Sequence, residues 1–530
     1  MRNRFLVTVC ALTFAATGHH ASSAADATCE SLASLALPEA TITAATAVPA
    51  GPFTPPGAQG RAGAAAPLTL PAFCRVAATL KPTPESNIKI EVWLPPAESW
   101  NGKLLGTGNG GAGGAIAYGA LVTGLQRGFA TANTDMGTTT TGLDFSFGVG
   151  HPEMVKDWAY RSTHLMTVAA KQTVKAFYDR DARLSYFTGC STGGHQALTE
   201  AQRFPDDYNG IVSGNPANNR THLHVVGIWN YNATHADPDS YFPFSKTRAI
   251  HRAVLAACDT LDGLEDGIID DPRRCHFDPA TIVCKEGDGA ECLTEKQAAA
   301  LKKIYAGPSN PRTGAPIFPG MSPGSEANPL GLERTLASAP TASGGPQPVV
   351  VGLVNWATSF KGPSFDFDRD MAAIDAELGP IVNDVNPDLS PLKKRGGRLI
   401  MYTGWADPLI PAQDLVNYYE RVERAMGGAE KTQEFARLFL VPGMGHCGSG
   451  TAPNQFDALS ALDQWVEKGV APDTMIASHR AGTTVDRTRP LCPYPQVAKW
   501  KGSGGTDDAA NFACAKAAPA PQPPGVGRQY

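Results

Sequence analysis

A serine and a histidine that lie far apart in this 530-residue chain each have a cysteine as immediate neighbour. Ser191 stands in Gly-Cys-Ser-Thr-Gly, a match to the G-x-S-x-G nucleophile elbow, in which a strained turn exposes a reactive hydroxyl. Cys190 precedes Ser191, and Cys447 follows His446. If the His446 imidazole accepts a hydrogen bond from Ser191, the two cysteines come within bridging distance. We therefore expect a serine nucleophile and a histidine base held together by one disulfide.

The elbow motif alone is weak evidence, because a chain with 55 glycines can match it by chance in a glycine-rich turn. Its sequence context strengthens the interpretation. Residues 184–188 form a short β-prone run before the motif, and residues 194–201 have a helical composition after it. Strand, sharp turn and helix are the arrangement that a nucleophile elbow requires.

Asp407 is the candidate third member of the catalytic group. It follows residues 398–404, an apolar run that predicts a buried strand, and catalytic side chains gather at the carboxyl ends of such strands. A second apolar run, residues 436–441, precedes His446. The order Ser, Asp, His is that of α/β-hydrolases. The alternatives are an Asp-Pro turn or a helix cap at Asp407 and a polar loop position at His446.

A glycine-rich run, residues 109–114, precedes the nucleophile, as the second oxyanion loop of such an enzyme should. We expect the backbone N–H groups of Thr192 and Gly111 to bind the oxyanion. The alternatives are a flexible loop and a phosphate cradle. Because no Lys-Ser or Lys-Thr pair follows the run, the sequence disfavours a P-loop.

Ten cysteines remain when Cys10 is removed with an N-terminal signal. An even number in an exported chain suggests five disulfides, although the sequence alone does not determine the pairing. Closeness along the chain favours four pairs and leaves a fifth: Cys29–Cys74, Cys258–Cys275, Cys284–Cys292, Cys492–Cys514 and, as the remainder, Cys190–Cys447. A zinc site is the alternative, but no C-x-x-C spacing supports it.

Residues 1–25 have the pattern of a signal peptide. Arg2 and Arg4 are followed by an apolar run too short to cross a bilayer and by a small-residue cleavage site. We therefore expect a secreted or periplasmic protein without a membrane partner. The formal net charge of −5 offers no electrostatic case for binding nucleic acid.

Strand and helix patterns stop after residue 216 and resume at residue 398. The stretch between them is rich in Pro, Asp and Cys and carries few strand signals. We predict an α/β fold in which residues 26–216 and 395–530 form an α/β-hydrolase core. Residues 217–394 form a large inserted lid domain above the nucleophile. The Ala-, Pro- and Thr-rich residues 26–70 are expected to form an irregular wrap.

The predicted lid contains an acidic segment, residues 258–271, in which glycines separate six acidic side chains. Carboxylates and backbone carbonyls are the hard oxygen ligands that Ca²⁺ prefers. The spacing is not that of an EF-hand. The alternative is a solvated acidic turn.

Taken together, the Gly-Cys-Ser-Thr-Gly-Gly elbow, the Asp407 loop, the His446-Cys447 pair and the acidic segment resemble the tannase/feruloyl esterase family. That family includes mono(2-hydroxyethyl) terephthalate hydrolases, and the resemblance extends from about Cys29 to Cys514. It implies an α/β-hydrolase core with a lid, and a Ser191–Asp407–His446 triad bridged by Cys190–Cys447. It also implies a structural Ca²⁺ held by the side chains of Asp259, Asp262 and Asp266 and the carbonyls of Leu264 and Ile268.

By this resemblance the chain is expected to hydrolyse small aromatic esters through an acyl-enzyme, as a feruloyl esterase or tannase does. A mono(2-hydroxyethyl) terephthalate-type hydrolase is the alternative within the family. A serine peptidase and a non-catalytic, calcium-stabilised binding protein are the alternatives outside it. Trp356 and Phe360 in the lid are candidates for stacking on a substrate ring or for the core of the lid.

Overall fold

The computed structural model describes residues 28–56, 68–328, 330–340, 349–359 and 365–517, so the predicted signal peptide and Phe360 lie outside the described residues. The strands are β1 (Ala40–Val48), β2 (Gly51–Phe53), β3 (Leu68–Leu70), β4 (Phe73–Leu80), β5 (Ile88–Leu94), β6 (Lys103–Thr107), β7 (Ala130–Thr134), β8 (Leu184–Cys190), β9 (Gly210–Gly214), β10 (Arg398–Gly404), β11 (Ala436–Val441), β12 (Met475–Ala481), β13 (Thr484–Leu491), β14 (Gln496–Trp500) and β15 (Phe512–Lys516). The α-helices are α1 (Tyr118–Gln126), α2 (Pro152–Lys156), α3 (Ser162–Tyr178), α4 (Thr192–Arg203), α5 (Arg220–His235), α6 (Thr247–Cys258), α7 (Glu295–Ala306), α8 (Leu332–Thr335), α9 (Arg369–Glu377), α10 (Gly379–Val382), α11 (Ser390–Lys394), α12 (Ala412–Ala425), α13 (Ala429–Gln433) and α14 (Ala458–Lys468).

Nine strands form one mixed sheet in the order β1-β4-β5-β7-β6-β8-β9-β10-β11. Neighbours from β7 to β11 pair in parallel, whereas β1, β4 and β5 form an antiparallel edge that joins β7. Parallel strands covered by helices on both faces need continuous apolar runs, and β6, β7 and β9 are buried along their whole length. The sheet confirms the predicted α/β class. It also brings the carboxyl ends of β8, β10 and β11 to one edge.

The chain between β9 and β10 forms the inserted region, and its described residues contain helices and turns but no strand. The two ends of this insertion lie side by side. The Asp384 N–H donates to the Asn218 carbonyl at 2.8 Å, and the Asn218 side-chain amide donates to the Asp384 carbonyl at 3.1 Å. The insertion therefore leaves the core and returns to it at one place, next to the nucleophile edge of the sheet.

The N-terminal region differs from its prediction. Residues 26–70 were expected to form an irregular wrap, but residues Ala40–Val48 form β1, which pairs antiparallel with β4 at the edge of the sheet. Its many alanines hide the strand signal, because small side chains give little hydrophobic contrast between the two faces of a half-exposed strand. The predicted irregular structure was wrong for this segment.

Five disulfides are present in the described part of the chain: four are the pairs favoured by closeness along the chain, and the fifth is the remaining pair, Cys190–Cys447. Two lie inside the insertion, where they close loops of 17 and 8 residues. Within the described residues, no helix is both long enough and apolar enough to cross a membrane.

Candidate active site

Ser191 sits in a sharp turn between β8 and α4, with φ 65° and ψ −120°. This left-handed backbone is strained for a residue with a side chain, and such strain is typical of a nucleophile elbow. The flanking glycines permit the turn, because a Cβ at Gly189 would collide with the backbone of Gly193. A Cβ at Gly193 would in turn lie 3.1 Å from the Asn109 carbonyl oxygen. The elbow therefore packs directly against the glycine-rich loop.

Asp407 and His446 are hydrogen-bonded to each other, with 2.8 Å between Asp407 Oδ2 and His446 Nδ1. Asp407 is fully buried, and its other oxygen accepts the backbone N–H groups of Leu409 and Ile410 at 2.8 and 3.0 Å. An ionised carboxylate can only accept hydrogen bonds, so this set of donors suits the charged form. With Nδ1 donating to Asp407, His446 Nε2 is left as the acceptor that a general base needs.

The disulfide Cys190–Cys447 joins the serine turn to the histidine loop, with 6.0 Å between the two Cα atoms. Within the described residues, neither Ser191 Oγ nor His446 Nε2 has a hydrogen-bond partner. In free enzymes such catalytic contacts often tighten only when substrate is bound. The structure thus brings the three predicted residues to one edge of the sheet and ties two of their loops covalently.

Thr192 and Gly111 lie against each other beside Ser191. The Thr192 hydroxyl donates to the Gly111 carbonyl oxygen at 2.7 Å. Thr192 is the first residue of α4, so its N–H has no partner inside the helix. Gly111 has φ +57°, and a Cβ there would collide with the carbonyl oxygen of Gly142. In the described part of the chain neither backbone N–H has an acceptor, so both are available to an oxyanion.

A pocket opens above Ser191 and Thr192, and most of its wall is apolar. Successive turns of α5 supply one side, the loop after Asp407 supplies another, and α8 of the insertion covers part of it. The apolar lining residues are Leu143, Phe145, Ala217, Leu223, Val226, Leu330, Pro408, Leu409 and Ile410. Among the described lining residues there is no Asp or Glu, whereas Arg220 and Arg334 are both present. The wall therefore suits a flat apolar group and offers positive charge only.

Asn215 and Arg220 belong to this site and were missed from the sequence. Asn215 donates from its side-chain amide to Asp407 Oδ2 at 2.6 Å and adopts φ 36°, which is uncommon outside glycine. Its position just past a buried strand was the one available signal. Arg220 donates to the Thr192 hydroxyl at 2.7 Å, and nothing in its local sequence marked it.

Trp356 belongs to the apolar core between the insertion and the catalytic domain. Its indole N–H donates to the Phe145 carbonyl at 2.6 Å, and its ring packs edge-on against Trp158 with 5.4 Å between centroids. Trp356 is 6% exposed and does not line the pocket. Of the two roles predicted for this residue, the structure places it in the core.

The acidic segment offers oxygen donors of the kind that a hard cation prefers. Asp262, Asp266 and Ile268 line one small pocket, and the Cys258–Cys275 disulfide closes the loop around them. The Asp259 carboxylate, however, accepts backbone N–H groups of residues 266–268, and Asp266 is paired with Arg489 at 2.6 Å. Within the described residues, no three acidic, histidine or cysteine side chains are grouped so as to hold a metal ion. The donor chemistry fits Ca²⁺, whereas the carboxylates do not converge on one point.

Comparisons with known proteins identify the family of this chain. A sequence profile described as tannase and feruloyl esterase matches residues 74–515. An uncharacterised esterase of Xanthomonas campestris pv. campestris is 37% identical over 93% of this chain and 92% of its own length. The mono(2-hydroxyethyl) terephthalate hydrolase of Piscinibacter sakaiensis is 36% identical over 79% of this chain and 80% of its own length. The crystal structure of feruloyl esterase B from Aspergillus oryzae superposes with a TM-score of 0.83 at 30% identity, covering 92% of this chain and 99% of that one. The chain therefore belongs to the tannase and feruloyl esterase family, has the α/β-hydrolase fold of that family, and is a carboxylic ester hydrolase.

Proposed function

We propose that this chain is an exported serine esterase that hydrolyses esters of aromatic, phenolic carboxylic acids. The observation that carries the proposal is the Asp407–His446 hydrogen bond beside a serine in a strained turn, with Cys190–Cys447 joining the two loops. Ester hydrolysis by a Ser-His-Asp group needs this order of contacts.

In the proposed mechanism His446 Nε2 takes the Ser191 proton as the Ser191 oxygen attacks the ester carbonyl carbon. Asp407 holds the imidazole in the tautomer that leaves Nε2 free and stabilises the imidazolium that forms. The tetrahedral intermediate then collapses, and the alcohol leaves with the proton from His446. Water then gives a proton to His446 as it attacks the acyl-Ser191 ester, and His446 returns that proton to the Ser191 oxygen as the acid is released.

The oxyanion of each tetrahedral intermediate is bound by the N–H groups of Thr192 and Gly111. Both groups lack an acceptor within the described residues and belong to segments that the Thr192 hydroxyl ties together. Losing one such donor typically costs about 10²–10³-fold in kcat.

The aromatic part of the substrate is inferred from the pocket and from the relatives. Phe145, Leu223 and Ile410 offer an apolar wall to a ring. Two of the relatives are described as a mono(2-hydroxyethyl) terephthalate hydrolase and a feruloyl esterase, and both names refer to esters of aromatic acids. A second candidate is a half-ester of an aromatic dicarboxylic acid. The exposed Arg334 at this pocket and the absence of acidic side chains among its described lining residues favour an anionic substrate.

We further propose a structural calcium site in the acidic segment and export by the signal at residues 1–25. Asp259, Asp262 and Asp266 would supply carboxylates, and Leu264 and Ile268 would supply carbonyls. Bound Ca²⁺ would neutralise the acidic loop and so stabilise the insertion. The five disulfides support an oxidising location, which is the periplasm or the exterior.

The test is a comparison of initial rates on methyl gallate, methyl ferulate, mono(2-hydroxyethyl) terephthalate and p-nitrophenyl butyrate, with Ser191→Ala as control. We expect a strong preference for one of the aromatic acids and no turnover by the variant. Turnover of the butyrate alone would refute the aromatic acyl group and leave a general esterase.

A further inference from the structure

Arg220 is a buried cation with few partners next to the nucleophile. It is 3% exposed and lines the same pocket as Ser191. Its Nη2 donates to Thr192 Oγ1, but its Nε has no hydrogen-bond partner within the described residues. The carboxylate that attracts it electrostatically, Asp384, forms its ion pair with Arg203 at 2.6 Å instead.

The position of Arg220 is unfavourable for folding in two respects. It is the first residue of α5, where the helix dipole is positive and a cation is disfavoured. It is also removed from water without an ion pair among the described residues. Replacing a buried charged group by an apolar residue often leaves folding stability unchanged or raises it. Burial lowers the pKa of Arg220 to about 9, so the group remains protonated at neutral pH. Stability therefore does not explain why an arginine stands here.

Two hydrogen bonds in series link Arg220 to Thr192 and Thr192 to Gly111, and the direction of each is fixed by its donor. A guanidinium can only donate, so Thr192 Oγ1 accepts from Arg220 at 2.7 Å. The single hydroxyl proton of Thr192 is then directed to the Gly111 carbonyl, also at 2.7 Å. This chain of bonds connects α5 of the insertion to the elbow and to the glycine-rich loop. These last two segments carry both proposed oxyanion donors.

Trp158 holds the guanidinium from its other side. It lies in a π-helical turn, Asp157–Arg161, between α2 and α3, and π turns are frequent at functional sites. The Arg220 guanidinium carbon lies 4.8 Å from the centre of the Trp158 ring. Trp158 is fully buried and packs against Phe145 and Trp356. The orientation of the cation is therefore set by a rigid aromatic cluster.

We propose that Arg220 is a positioning residue of the oxyanion hole. Through the Thr192 hydroxyl it fixes the spacing of the Thr192 and Gly111 N–H groups. It also places a positive charge one hydrogen bond away from the segment that binds the developing oxyanion. Donors held in advance where charge develops lower the barrier because they need no reorganisation during the reaction. The inference rests on the proposed function, since the hole acts only if Ser191 attacks a carbonyl.

The test is the steady-state kinetics of the full mature chain with Arg220→Met, Thr192→Val and the double variant on the best ester. We expect each single variant to lower kcat about 10–100-fold with KM nearly unchanged, because the bonds act in the transition state. The double variant should lose about as much kcat as the more damaging single variant, because both substitutions remove one coupled unit. Arg220→Lys, which keeps the charge, should recover part of the rate, and the melting temperature of Arg220→Met should not fall.

Arg437→Met is the matched control, because Arg437 also stacks over a tryptophan, 5.6 Å from the centre of the Trp465 ring, but lies outside the pocket. It should leave kcat unchanged. If the wild type hydrolyses esters while Arg220→Met keeps full kcat, or if the two single losses simply multiply, the positioning role is overturned. A rise in KM alone would also overturn it, because that result assigns Arg220 to substrate binding. An inactive wild type would instead refute the proposed function.

Discussion

The catalytic core and the inserted region hold their side chains by different means. In the core, the parallel pairing of the strands brings Ser191, Asp407 and His446, which follow β8, β10 and β11, to one edge of the sheet. Glycines there allow the backbones of the elbow and the glycine-rich loop to come into contact. The described residues of the insertion contain no strand, and two short disulfide loops and several apolar clusters hold them instead. The chemistry is thus set by regular backbone geometry, whereas the part of the pocket wall that the insertion supplies is held by side-chain packing.

The largest effect expected in the core is that of Asp407→Asn. The variant should lower kcat by about 10⁴-fold with the fold intact, because Asn stabilises the wrong His446 tautomer. Initial rates and circular dichroism check this. Asp414→Asn is the matched control. Asp414 lies in α12, shortly after Asp407 in the chain, and it is also buried. Burial raises the pKa of Asp414 to about 6.

The control variant Asp414→Asn should itself change the stability of the protein. Because the folded-state pKa of Asp414 is raised, its charged form is disfavoured in the folded state. This cost is present at pH 7, declines as the pH falls through about 6 and is absent below the ordinary pKa of 3.8. A neutral Asn should therefore raise the melting temperature slightly at pH 7 and leave kcat unchanged. If Asp407→Asn and Asp414→Asn lowered kcat equally, Asp407 would not be the residue that orients His446.

Two disulfides, one in the core and one in the insertion, should differ in what their removal costs. Cys190–Cys447 spans 257 residues, and Cys284–Cys292 spans 8. The chain-entropy relation predicts losses of about 5.5 and about 2.5 kcal/mol when each pair is replaced by serines. Only the first replacement should also lower kcat, because it releases the histidine loop from the serine turn. Urea unfolding and initial rates of the two double variants measure both effects, and equal kinetic losses would contradict the account.

Calcium removal should act on the insertion first. A chelator is expected to lower the melting temperature, since a ligand at 100 times its Kd contributes about 2.7 kcal/mol to the folded state. The shift should vanish in Asp262→Asn and return when Ca²⁺ is added back to the wild type. Some activity should be lost with it, because the Ile268 side chain lies beside Gly443 in the histidine loop. Loss of activity without any change in melting temperature would exclude a structural ion.

The smallest effect is expected at Asn215, where core and insertion meet. Removing its amide takes away one of the hydrogen bonds to buried Asp407, which should lower kcat about tenfold. Asn215→Gly adopts φ 36° without strain, whereas Asn215→Ala does so at an energetic cost. The two variants therefore separate backbone strain from the lost hydrogen-bond donor. Similar kinetic losses in both would support the hydrogen bond, and a loss in the Ala variant alone would attribute the effect to strain.

Strong local patterns made much of the core predictable. The apolar runs at residues 398–404 and 436–441 coincide with β10 and β11, and the elbow context at residues 184–188 lies within β8. The α14 helix begins at Ala458, because Asp457 caps it by accepting the Ser460 N–H. Such signals are local, so one sequence is enough to read them.

The missed features depend on contacts between distant segments. Arg220 and Thr192 are 28 residues apart, and only the fold brings them together. Asn215 bonds to Asp407, 192 residues away, and β1 is stabilised by pairing with β4 rather than by its own alanine-rich composition. In the acidic segment the sequence signal is stronger than the structural one. Its composition predicts a cation site, whereas its carboxylates are not grouped to hold a metal ion within the described residues.

Ser191 is proposed to carry an acyl group derived from an aromatic acid, and acid-quenched mass spectrometry can detect that acyl-enzyme. With a p-nitrophenyl ester of the preferred aromatic acid, acylation is fast and the intermediate should accumulate. The account predicts an early burst of p-nitrophenolate and an added acyl mass on the peptide that contains Ser191, both absent in Ser191→Ala. An adduct on another residue, or full turnover by the Ser191→Ala variant, would contradict it.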